Sequence, residues 1–431
     1  MKFSAPRGTH DLFGNDSLNL RLLEDSSRKT FSIYNFSEII VPVFEDAGLF
    51  TRSIGGTTDI VEKEMYVFED RKGRKLALRP EGTASVVRAC IENQLFQNMA
   101  VPKLFYMGSM FRYERPQAGR YREFFQIGAE YFANPEPQAD AEIILLAKDI
   151  LEGFGLKGVK THIHSIGCSE CRNEFRKALI EYFKQGSKAL EELCDDCKRR
   201  IETNPLRVLD CKIDNHKFAC APKMEQHLCE PCKTHFNSVK SLLDKNSCQY
   251  IVDHKLVRGL DYYTRTVFEM RSDLVGSQDA LAAGGRYDNL VSELGGSQVP
   301  AVGFALGTER VMMARQKMEG YAPPASGNII FVAAVSETLL TEAFGLAQAM
   351  RNKLKDNTVI EGPFAGKSLK SQLKLADRLG ASEAIIFGDD EFVRGTVILR
   401  NMKSTSIVSF NGVSLESQEQ KEVNLHSILE R

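Results

Sequence analysis

The stretch from Leu104 to Phe132, LFYMGSMFRYERPQAGRYREFFQIGAEYF, constrains the fold more than any other part of the chain. Its first residues alternate in the manner of a β-strand, and its last ten, from Glu123 onward, alternate again. The loop between them holds four arginines within eleven positions and contains Pro116, which marks a turn. The pattern predicts a β-hairpin whose loop can bind a polyanion and whose returning strand carries polar side chains on one face.

Length and composition limit the classes of protein to which the chain can belong. With 431 residues it is too long for one ordinary hydrophobic core, which predicts two or three domains. The net charge is −1, so any nucleic-acid binding must rest on local basic patches. No apolar run of ~18 residues is present and the N-terminus has no apolar leader, so we expect a cytoplasmic protein without membrane contact. In that compartment the ten cysteines are expected to be thiols or metal ligands rather than disulfides.

The hairpin also resembles motif 2 of the class II aminoacyl-tRNA synthetases, in the form found in the histidyl-tRNA synthetase family. The matching positions are Phe111, Arg112, Glu114, Arg115, Pro116, Gly119, Arg120, Tyr121, Arg122, Glu123, Phe124, Gln126 and Glu130. Taken alone, the arginines would equally fit a solvated basic hairpin. The length of the match favours the resemblance.

Three further segments resemble the same family. Leu256–Glu269, LVRGLDYYTRTVFE, is similar to its diagnostic peptide, and Gly307–Arg310 is similar to motif 3, with Thr308 as the predicted helix cap. The apolar stretch from Phe36 to Phe44 predicts an edge strand because it contains proline; it resembles motif 1, which implies a homodimer. At the junction from Arg79 to Thr83, we expect a strand to end and a helix to begin, with Thr83 as its cap.

The resemblance implies an α+β fold with four segments. Residues 1–160 and 251–322 are expected to form a class II catalytic domain, an antiparallel sheet with flanking helices. Residues 161–250 form a cysteine-rich helical insertion that leans on the acceptor arm of the tRNA. After a linker, alternating strands and helices in 328–431 predict a C-terminal α/β domain with a mixed sheet, similar to an anticodon-binding domain.

The resemblance also assigns roles to site residues. It implies three catalytic arginines, Arg112, Arg258 and Arg310. ATP-binding residues are Arg112, Glu114 and Arg310, and tRNA acceptor contacts come from Arg115, Gln117 and Arg122. Histidine-binding residues are Glu81, Gly82, Thr83, Arg112, Gln126, Glu130, Arg258, Tyr262, Tyr263 and Tyr287.

Three C-x-x-C pairs, Cys168/Cys171, Cys194/Cys197 and Cys229/Cys232, fall in the insertion. Two such pairs can supply four thiolates to a tetrahedral structural zinc ion, and we favour Cys194, Cys197, Cys229 and Cys232. Buried free thiols are the alternative. The resemblance does not decide between them, because the cysteine pairs are not a general feature of the family.

The implied activity is ligation of L-histidine to its tRNA with ATP and Mg²⁺. The alternative is a catalytically inactive relative that senses histidine as a regulatory subunit. The presence of Arg112, Arg258, Arg310 and a C-terminal domain favours the enzyme.

Overall fold

The computed structural model describes residues 3–55, 58, 60–185, 193–203, 205–209, 211, 213–218, 220–256, 260–276, 279–323, 327–353, 358–403, 408–410, 413–415 and 419–429. The chain divides into two compact units, Met1–Pro323 and Pro324–Arg431. None of the helices in this described part has the length and apolarity needed to span a membrane.

The first unit is organised around an eight-stranded sheet. Its strand order is β1-β5-β6-β11-β10-β9-β7-β8, in which the pairs β1/β5 and β7/β8 are parallel and the others antiparallel. A smaller sheet has the order β2-β4-β3. The strands are β1 (Ser37–Glu38), β2 (Phe44–Asp46), β3 (Val67–Glu69), β4 (Lys75–Leu78), β5 (Lys103–Phe111), β6 (Glu123–Phe132), β7 (Lys160–Ser165), β8 (Tyr250–Val252), β9 (Thr264–Arg271), β10 (Ala280–Arg286) and β11 (Ala301–Gly307).

Helices pack on both faces of the large sheet, in two hydrophobic cores. The helices of the described part of the first unit are α1 (Asn15–Ile33), α2 (Ala47–Ile54), α3 (Thr83–Glu92), α4 (Leu95–Asn98), α5 (Pro137–Gly153), α6 (Ser169–Gln185), α7 (Asp195–Thr203), α8 (Glu230–Lys245), α9 (Leu290–Glu293) and α10 (Thr308–Gln316). Single turns of other helix types occupy Ile60–Glu64, Pro205–Val208, Asn215–Phe218, Met224–His227 and Asp273–Val275. The mainly antiparallel sheet, with a parallel pair at each edge and flanking helices, confirms the predicted fold class.

The predicted hairpin is β5 and β6, which pair antiparallel from Lys103/Tyr131 to Phe111/Glu123. Because side chains alternate along a strand, Ile127 and Ala129 point into one core, which they share with α1, α5, α8 and α10. Phe132 belongs to a second core on the opposite face, with α3 and several tyrosines. Glu130 is two positions from Phe132 and lies on this second face, where the site is built.

The strand predicted over Phe36–Phe44 is interrupted. Its first part, β1, forms the parallel edge of the large sheet, and its last residue begins β2 in the small sheet. Between them the Arg79 guanidinium donates hydrogen bonds to the carbonyls of Val41 and Pro42, at 2.8 and 3.4 Å. The prediction of one continuous strand was wrong, because a buried arginine binds the carbonyls that a neighbouring strand would have used.

The second unit contains the predicted mixed sheet, with strand order β13-β12-β14-β15-β18. Strands β13 and β14 flank β12 in parallel, and β15 and β18 continue antiparallel. Strands β16 and β17 form a separate pair. The elements are β12 (Asn328–Ala334), α11 (Leu340–Lys353), β13 (Thr358–Glu361), α12 (Leu369–Arg378), β14 (Glu383–Phe387), α13 (Asp389–Val393), β15 (Thr396–Asn401), β16 (Val408–Phe410), β17 (Val413–Leu415), β18 (Gln420–Asn424) and α14 (Leu425–Leu429), with a single turn at Glu337–Leu339.

A fully buried ion pair fixes the end of β10 to the start of α5. The Arg286 guanidinium contacts the Asp140 carboxylate and also donates to the carbonyls of Asn134 and Glu136, at 3.0 and 3.2 Å. His235 Nε2 lies 3.3 Å from Asp140 Oδ2. Neither Arg286 nor Asp140 is exposed to solvent, so the pairing is satisfied entirely within the protein.

We expect Arg286→Met to destabilise the first unit by about 3–5 kcal/mol, because it leaves the Asp140 carboxylate buried without its main cationic partner. Urea unfolding followed by circular dichroism measures the change. Arg74→Met is the matched control, because Arg74 pairs with Asp70 at the surface. Equal losses of stability in the two variants would contradict this account of the core.

Candidate active site

A single cavity on the second face of the large sheet collects most of the predicted site residues. It lies between the β5–β6 hairpin, the β10–β11 pair and the segment before β9. The predicted residues that line it are Glu81, Thr83, Arg112, Glu114, Gln126, Glu130, Tyr262, Tyr263, Tyr287 and Arg310. Segments that are far apart in the sequence therefore meet at one place.

Glu130 lies at the inner end of this cavity and is 1% exposed. Its Oε1 accepts a hydrogen bond of 2.6 Å from the Thr83 hydroxyl, and its Oε2 accepts one from the Tyr287 hydroxyl. Burial raises the pKa of Glu130 to about 8, although these two hydrogen bonds act in the opposite direction. The carboxyl group is thus held in place and close to its point of ionisation at neutral pH.

Glu81 provides a second buried carboxylate at the start of α3. It accepts hydrogen bonds from the backbone N–H groups of Thr83 and Ala84, at 2.7 and 2.9 Å. The predicted cap was therefore assigned to the wrong residue: Gly82 is the N-cap position and the Glu81 side chain accepts from the helix N-terminus. Thr83 is the first helical residue, and its hydroxyl bonds Glu130 instead.

Gly82 and Gln126 lie beside the two carboxylates. A Cβ atom on Gly82 would lie 2.2 Å from the ring of Tyr106, so the glycine allows the helix start to pack against this buried tyrosine. Gln126 is on the same face of β6 as Glu130, and it lines the cavity. Its buried Oε1 has no hydrogen-bond partner within the described residues, which leaves an acceptor for a ligand.

Guanidinium groups form the other end of the cavity. Arg112 Nε donates to the Pro80 carbonyl at 2.9 Å and the group lies over the Phe124 ring. Arg310 Nε donates to the Gly119 carbonyl at 2.8 Å. Burial and the nearby charges of Arg120 and Arg112 lower the pKa of Arg310, although Glu114 acts in the opposite direction. Cations that repel one another in this way form a site suited to an anion such as phosphate.

Three residues that line this end were given no role by sequence reasoning: Arg120, Glu269 and Glu309. Arg120 Nε lies 2.5 Å from the Glu114 carboxylate. Glu309 accepts a hydrogen bond of 2.8 Å from the backbone N–H of Phe125, which ties α10 to β6. Arg120 belongs to the matched hairpin motif and Glu309 lies between Gly307 and Arg310, so both could have been identified from their neighbours.

Thr308 is the first residue of α10 and Gly307 its N-cap, so the predicted threonine cap was wrong here too.

The remaining loop residues do not line the cavity. Arg115 and Gln117 are exposed on the hairpin loop. The Arg122 guanidinium lies 3.8 Å from the centre of the Tyr113 ring, and the backbone N–H of Arg122 donates to the Gly8 carbonyl at 2.7 Å. Arg258 lies outside the described residues, so the structure gives no position for it.

The insertion does not assemble the four cysteines that we favoured as zinc ligands. Cys229 and Cys232 lie with Cys168 and Cys171, whereas Cys194 and Cys197 lie with Cys211 and Asp214. The prediction was wrong because C-x-x-C spacing only brings two thiols together locally. The tertiary packing of α6, α7 and α8 decides which pairs meet.

Comparisons with known proteins agree with the resemblance. The family model described as Histidyl-tRNA synthetase matches residues 8–311. The histidine–tRNA ligase of Endomicrobium trichonymphae is 55% identical over 413 residues, or 95% of this chain and 99% of that protein. That of Aquifex aeolicus is 50% identical over 410 residues, or 94% of this chain and 97% of that protein.

Two solved structures give the same fold. Apo histidyl-tRNA synthetase of S. aureus has a TM-score of 0.80 at 32% identity, covering 100% of this chain and 99% of that one. An ATP phosphoribosyltransferase regulatory subunit/histidyl-tRNA synthetase from Bacillus halodurans has a TM-score of 0.66 at 19% identity, covering 90% of this chain and 98% of that one. At that identity the second likeness concerns the fold alone.

Tyr287→Phe is expected to weaken L-histidine binding by about tenfold or more, because a hydrogen bond to a charged group contributes about 1.5–3 kcal/mol. The ring packing is kept and only the donor to Glu130 is lost. Tyr131→Phe is the matched control, since its hydroxyl accepts from Asn134 and Tyr131 packs against the first core, on the opposite face of β6. Isothermal titration calorimetry measures both affinities; equal affinities would show that the Tyr287 hydroxyl does not organise the site.

Proposed function

The chain belongs to the histidyl-tRNA synthetase family, and we propose that it activates L-histidine with ATP and transfers the histidine to the 3′ end of its tRNA. The observation that carries this proposal is the shared cavity, which has Glu130 at one end and Arg112 and Arg310 at the other. One end suits an imidazole and an ammonium group, and the other suits the phosphates of ATP.

The protein binds histidine through its imidazole ring and through its α-ammonium group. Glu130 and Tyr263 bind the imidazole, and Glu81, Thr83 and Gln126 bind the α-ammonium group, with Gly82 in the same segment. Tyr262 and Tyr287 close the pocket. All of these except Gly82 line the cavity, which supports the assignment. A pocket that hydrogen-bonds the ring nitrogens rejects analogues without them far better than an apolar pocket could.

ATP lies toward the arginines. Arg112 neutralises charge on the α-phosphate. Arg258 binds the same α-phosphate and the histidine carboxylate. Arg310 binds the γ-phosphate, with Glu114 nearby. The positions of Arg112 and Arg310 support this arrangement, because both guanidinium groups are held by backbone carbonyls and still line the cavity. Planar guanidinium forks match phosphate oxygens in geometry and charge.

ATP is used with Mg²⁺, which takes oxygen ligands and is usually held by one or two carboxylates together with phosphate oxygens. The carboxylates of Glu269 and Glu309 line the cavity near Arg310, where Glu269 is paired with Arg271 and Glu309 accepts from the backbone N–H of Phe125. Oxygen donors of this kind are the ligands that Mg²⁺ prefers. When bound, the ion neutralises charge on the outer phosphates.

The reaction has two steps. The histidine carboxylate oxygen attacks the α-phosphorus of ATP, and the bond to the β-phosphate oxygen breaks, which releases pyrophosphate and leaves histidyl-adenylate. A ribose hydroxyl of the terminal adenosine of the tRNA then attacks the acyl carbon, and AMP leaves. The arginines stabilise the charge that develops at phosphorus in the first step, where fixed cations are most effective.

The tRNA contacts involve the rest of the chain. Arg115, Gln117 and Arg122 meet the acceptor end, and the exposure of the first two on the hairpin loop supports this. The insertion supports the acceptor arm, and residues 328–431 bind the anticodon. In that unit Lys370, Lys374 and Arg400 line one groove, which offers the positive charge that a phosphate backbone requires.

The active form is a homodimer. Its proposed interface includes exposed apolar side chains after β1 and on the small sheet, where Ile40 is 87% exposed and Val43, Phe44, Val67 and Phe68 are all exposed. Apolar groups gathered in this way mark surfaces that another protein covers.

The proposal predicts exchange of labelled pyrophosphate into ATP that depends on L-histidine and needs no tRNA. Arg310→Met should lower the exchange rate by about 10²–10³-fold, the effect of removing one fixed donor from a developing charge. Its L-histidine affinity should change by less than about threefold, since a factor of three is only ~0.6 kcal/mol. Arg315→Met on the same helix is the control, because its guanidinium lies on the Phe154 ring.

A wild-type protein that binds L-histidine but exchanges no pyrophosphate would contradict the proposal and favour the inactive histidine sensor. Charging of a bulk tRNA pool with labelled histidine then tests the second step.

L-histidine binding at pH 7 is expected to release a proton. The Glu130 pKa is about 8 in the free protein, so its carboxyl is mostly protonated, and the N–H donors of the ligand favour the ionised form. Calorimetry in two buffers of different ionisation enthalpy measures the release, and Glu130→Gln should abolish it.

The same group gives a stability test without ligand. Because the folded-state pKa of Glu130 is raised from 4.5 to about 8, its stabilising contribution is complete below pH 4.5 and is lost as the pH rises through 8. The melting temperature of the wild type should therefore fall relative to that of Glu130→Gln between about pH 5 and 8, and level off above the folded-state pKa. If the binding enthalpy is the same in both buffers, and the melting temperatures of the wild type and Glu130→Gln change in parallel with pH, then Glu130 does not titrate.

A further inference from the structure

The insertion contains two clusters of metal-binding side chains that have no part in the chemistry above. The first consists of Cys168, Cys171, Cys229 and Cys232, whose sulfur atoms all lie within 4.8 Å of one another. Two of these distances are 3.5 Å, between Cys168 and Cys171, and 4.0 Å, between Cys168 and Cys229. The backbone N–H of Cys229 donates to the Cys171 sulfur at 3.1 Å.

These distances match thiolates around one ion. A disulfide would place the sulfur atoms about 2.05 Å apart. Four thiolates in a tetrahedron with Zn–S bonds of about 2.3 Å lie about 3.8 Å from one another. An iron–sulfur cluster divides its four thiolates among two or more irons, which spreads the four cysteine sulfur atoms further apart. The first cluster therefore fits a single tetrahedral ion.

The backbone beside the first cluster is shaped for close packing. Gly167 has a φ of +65°, and a Cβ atom there would lie 2.4 Å from the Cβ of Cys171. A side chain at this position would clash with Cys171 and displace the first turn of α6. The glycine allows the chain to leave β7 and present both cysteines of the pair to the same point.

The second cluster consists of Cys194, Cys197, Cys211 and Asp214, again with ligand atoms within 4.8 Å of one another. The sulfur atoms of Cys194 and Cys211 are 3.8 Å apart. Asp214 is 1% exposed, and its Oδ2 faces the sulfurs and accepts from the Cys194 backbone N–H at 2.9 Å. The other oxygen, Oδ1, lies 3.2 Å from Lys217 Nζ, so the carboxylate is held with Oδ2 directed at the sulfur atoms, where it can complete a set of four ligands.

We propose that each cluster holds one zinc ion, so that the insertion is a two-zinc module with one Cys₄ site and one Cys₃Asp site. Thiolates select soft or borderline ions, and a closed set of four ligands is the mark of a structural zinc site rather than a catalytic one.

The two ions have different structural tasks. The Cys₄ site joins the start of α6 to the start of α8, which are the two points where the insertion leaves and re-enters the catalytic body. The Cys₃Asp site lies inside the insertion, whose buried core itself includes Cys171, Cys197, Cys211 and Cys232. A small core of this kind contributes only about 3–5 kcal/mol of net stability, and a structural metal ion is one of the cross-links that add to it.

The Cys₄ site also reaches the histidine pocket. Arg172, next to Cys171, donates to the carbonyls of Asp261 and Tyr263, at 3.4 and 3.1 Å. The first ion thus fixes the helix that positions the backbone of the pocket tyrosines. This consequence rests on the proposed function, whereas the metal content does not.

The test is the zinc content of the purified full-length chain, prepared without chelator and measured by mass spectrometry of the native protein and by elemental analysis. We expect two zinc ions per chain. Cys168→Ser with Cys232→Ser should leave one, and Cys194→Ser with Cys211→Ser should also leave one. Cys220→Ser is the matched control, because Cys220 lies in the same segment but in neither cluster, and it should retain both ions.

Cobalt replacement in the wild-type chain tests the ligand sets without any variant that could misfold. Two equivalents of Co²⁺ should give tetrahedral ligand-field bands and thiolate charge-transfer bands. A wild-type protein with no metal, with iron or with only one zinc ion, or a double variant that keeps both ions, would overturn the proposal. If histidine affinity falls in the Cys168/Cys232 variant but not in the Cys194/Cys211 variant, the link through Arg172 holds; equal affinities would overturn that link alone.

Discussion

The buried carboxyl group of Glu130 is the feature on which the rest of the site depends. An ionised carboxylate costs several kcal/mol to bury unless donors surround it, and here the donors come from α3 and from the segment after β10, through Thr83 and Tyr287. The space comes from β11, since a Cβ atom on Gly303 would lie 1.8 Å from Glu130 Oε2. The strand order β6-β11-β10 brings these segments together, so the environment of the Glu130 carboxyl group depends directly on the topology of the sheet.

The same cavity holds different sets of charged groups along its length. Two buried carboxylates, Glu81 and Glu130, lie at one end, and the guanidinium groups lie at the other together with the carboxylates of Glu114, Glu269 and Glu309. Arg112 connects the two ends, because its Nε donates to the Pro80 carbonyl and its charge acts on the neighbouring Glu81. Burial raises the pKa of Glu81, and the charge of Arg112 acts in the opposite direction. A zwitterionic amino acid and a polyphosphate can therefore lie side by side, with the amino-acid carboxylate directed toward the cations. This arrangement favours their reaction through proximity and fixed charge rather than through a covalent intermediate with the protein.

The sequence predicted features that depend on local periodicity and missed those that depend on tertiary partners. Alternation in β6 predicted which face carries Gln126 and Glu130, because the two-residue period directly encodes burial. The sequence did not show which groups compete for the same hydrogen-bond partner. The Thr83 hydroxyl donates to Glu130 instead of capping the helix. The Arg79 guanidinium binds the carbonyls of Val41 and Pro42, which would otherwise have been available to a neighbouring strand. The ligand groups of the insertion were missed for the same reason, since Cys211 and Asp214 stand in no C-x-x-C pair.

The proposed function requires the carboxylate end and the arginine end of the cavity to form one site for an aminoacyl-adenylate. A non-hydrolysable histidyl-adenylate analogue tests it most directly, because its two halves must occupy both ends at once. Calorimetry with the wild-type chain should show the analogue binding at least about a hundredfold more tightly than L-histidine, as expected when one molecule combines both sets of contacts. An analogue that binds no more tightly than L-histidine, or that leaves the ATP end free to bind ATP at the same time, would contradict it.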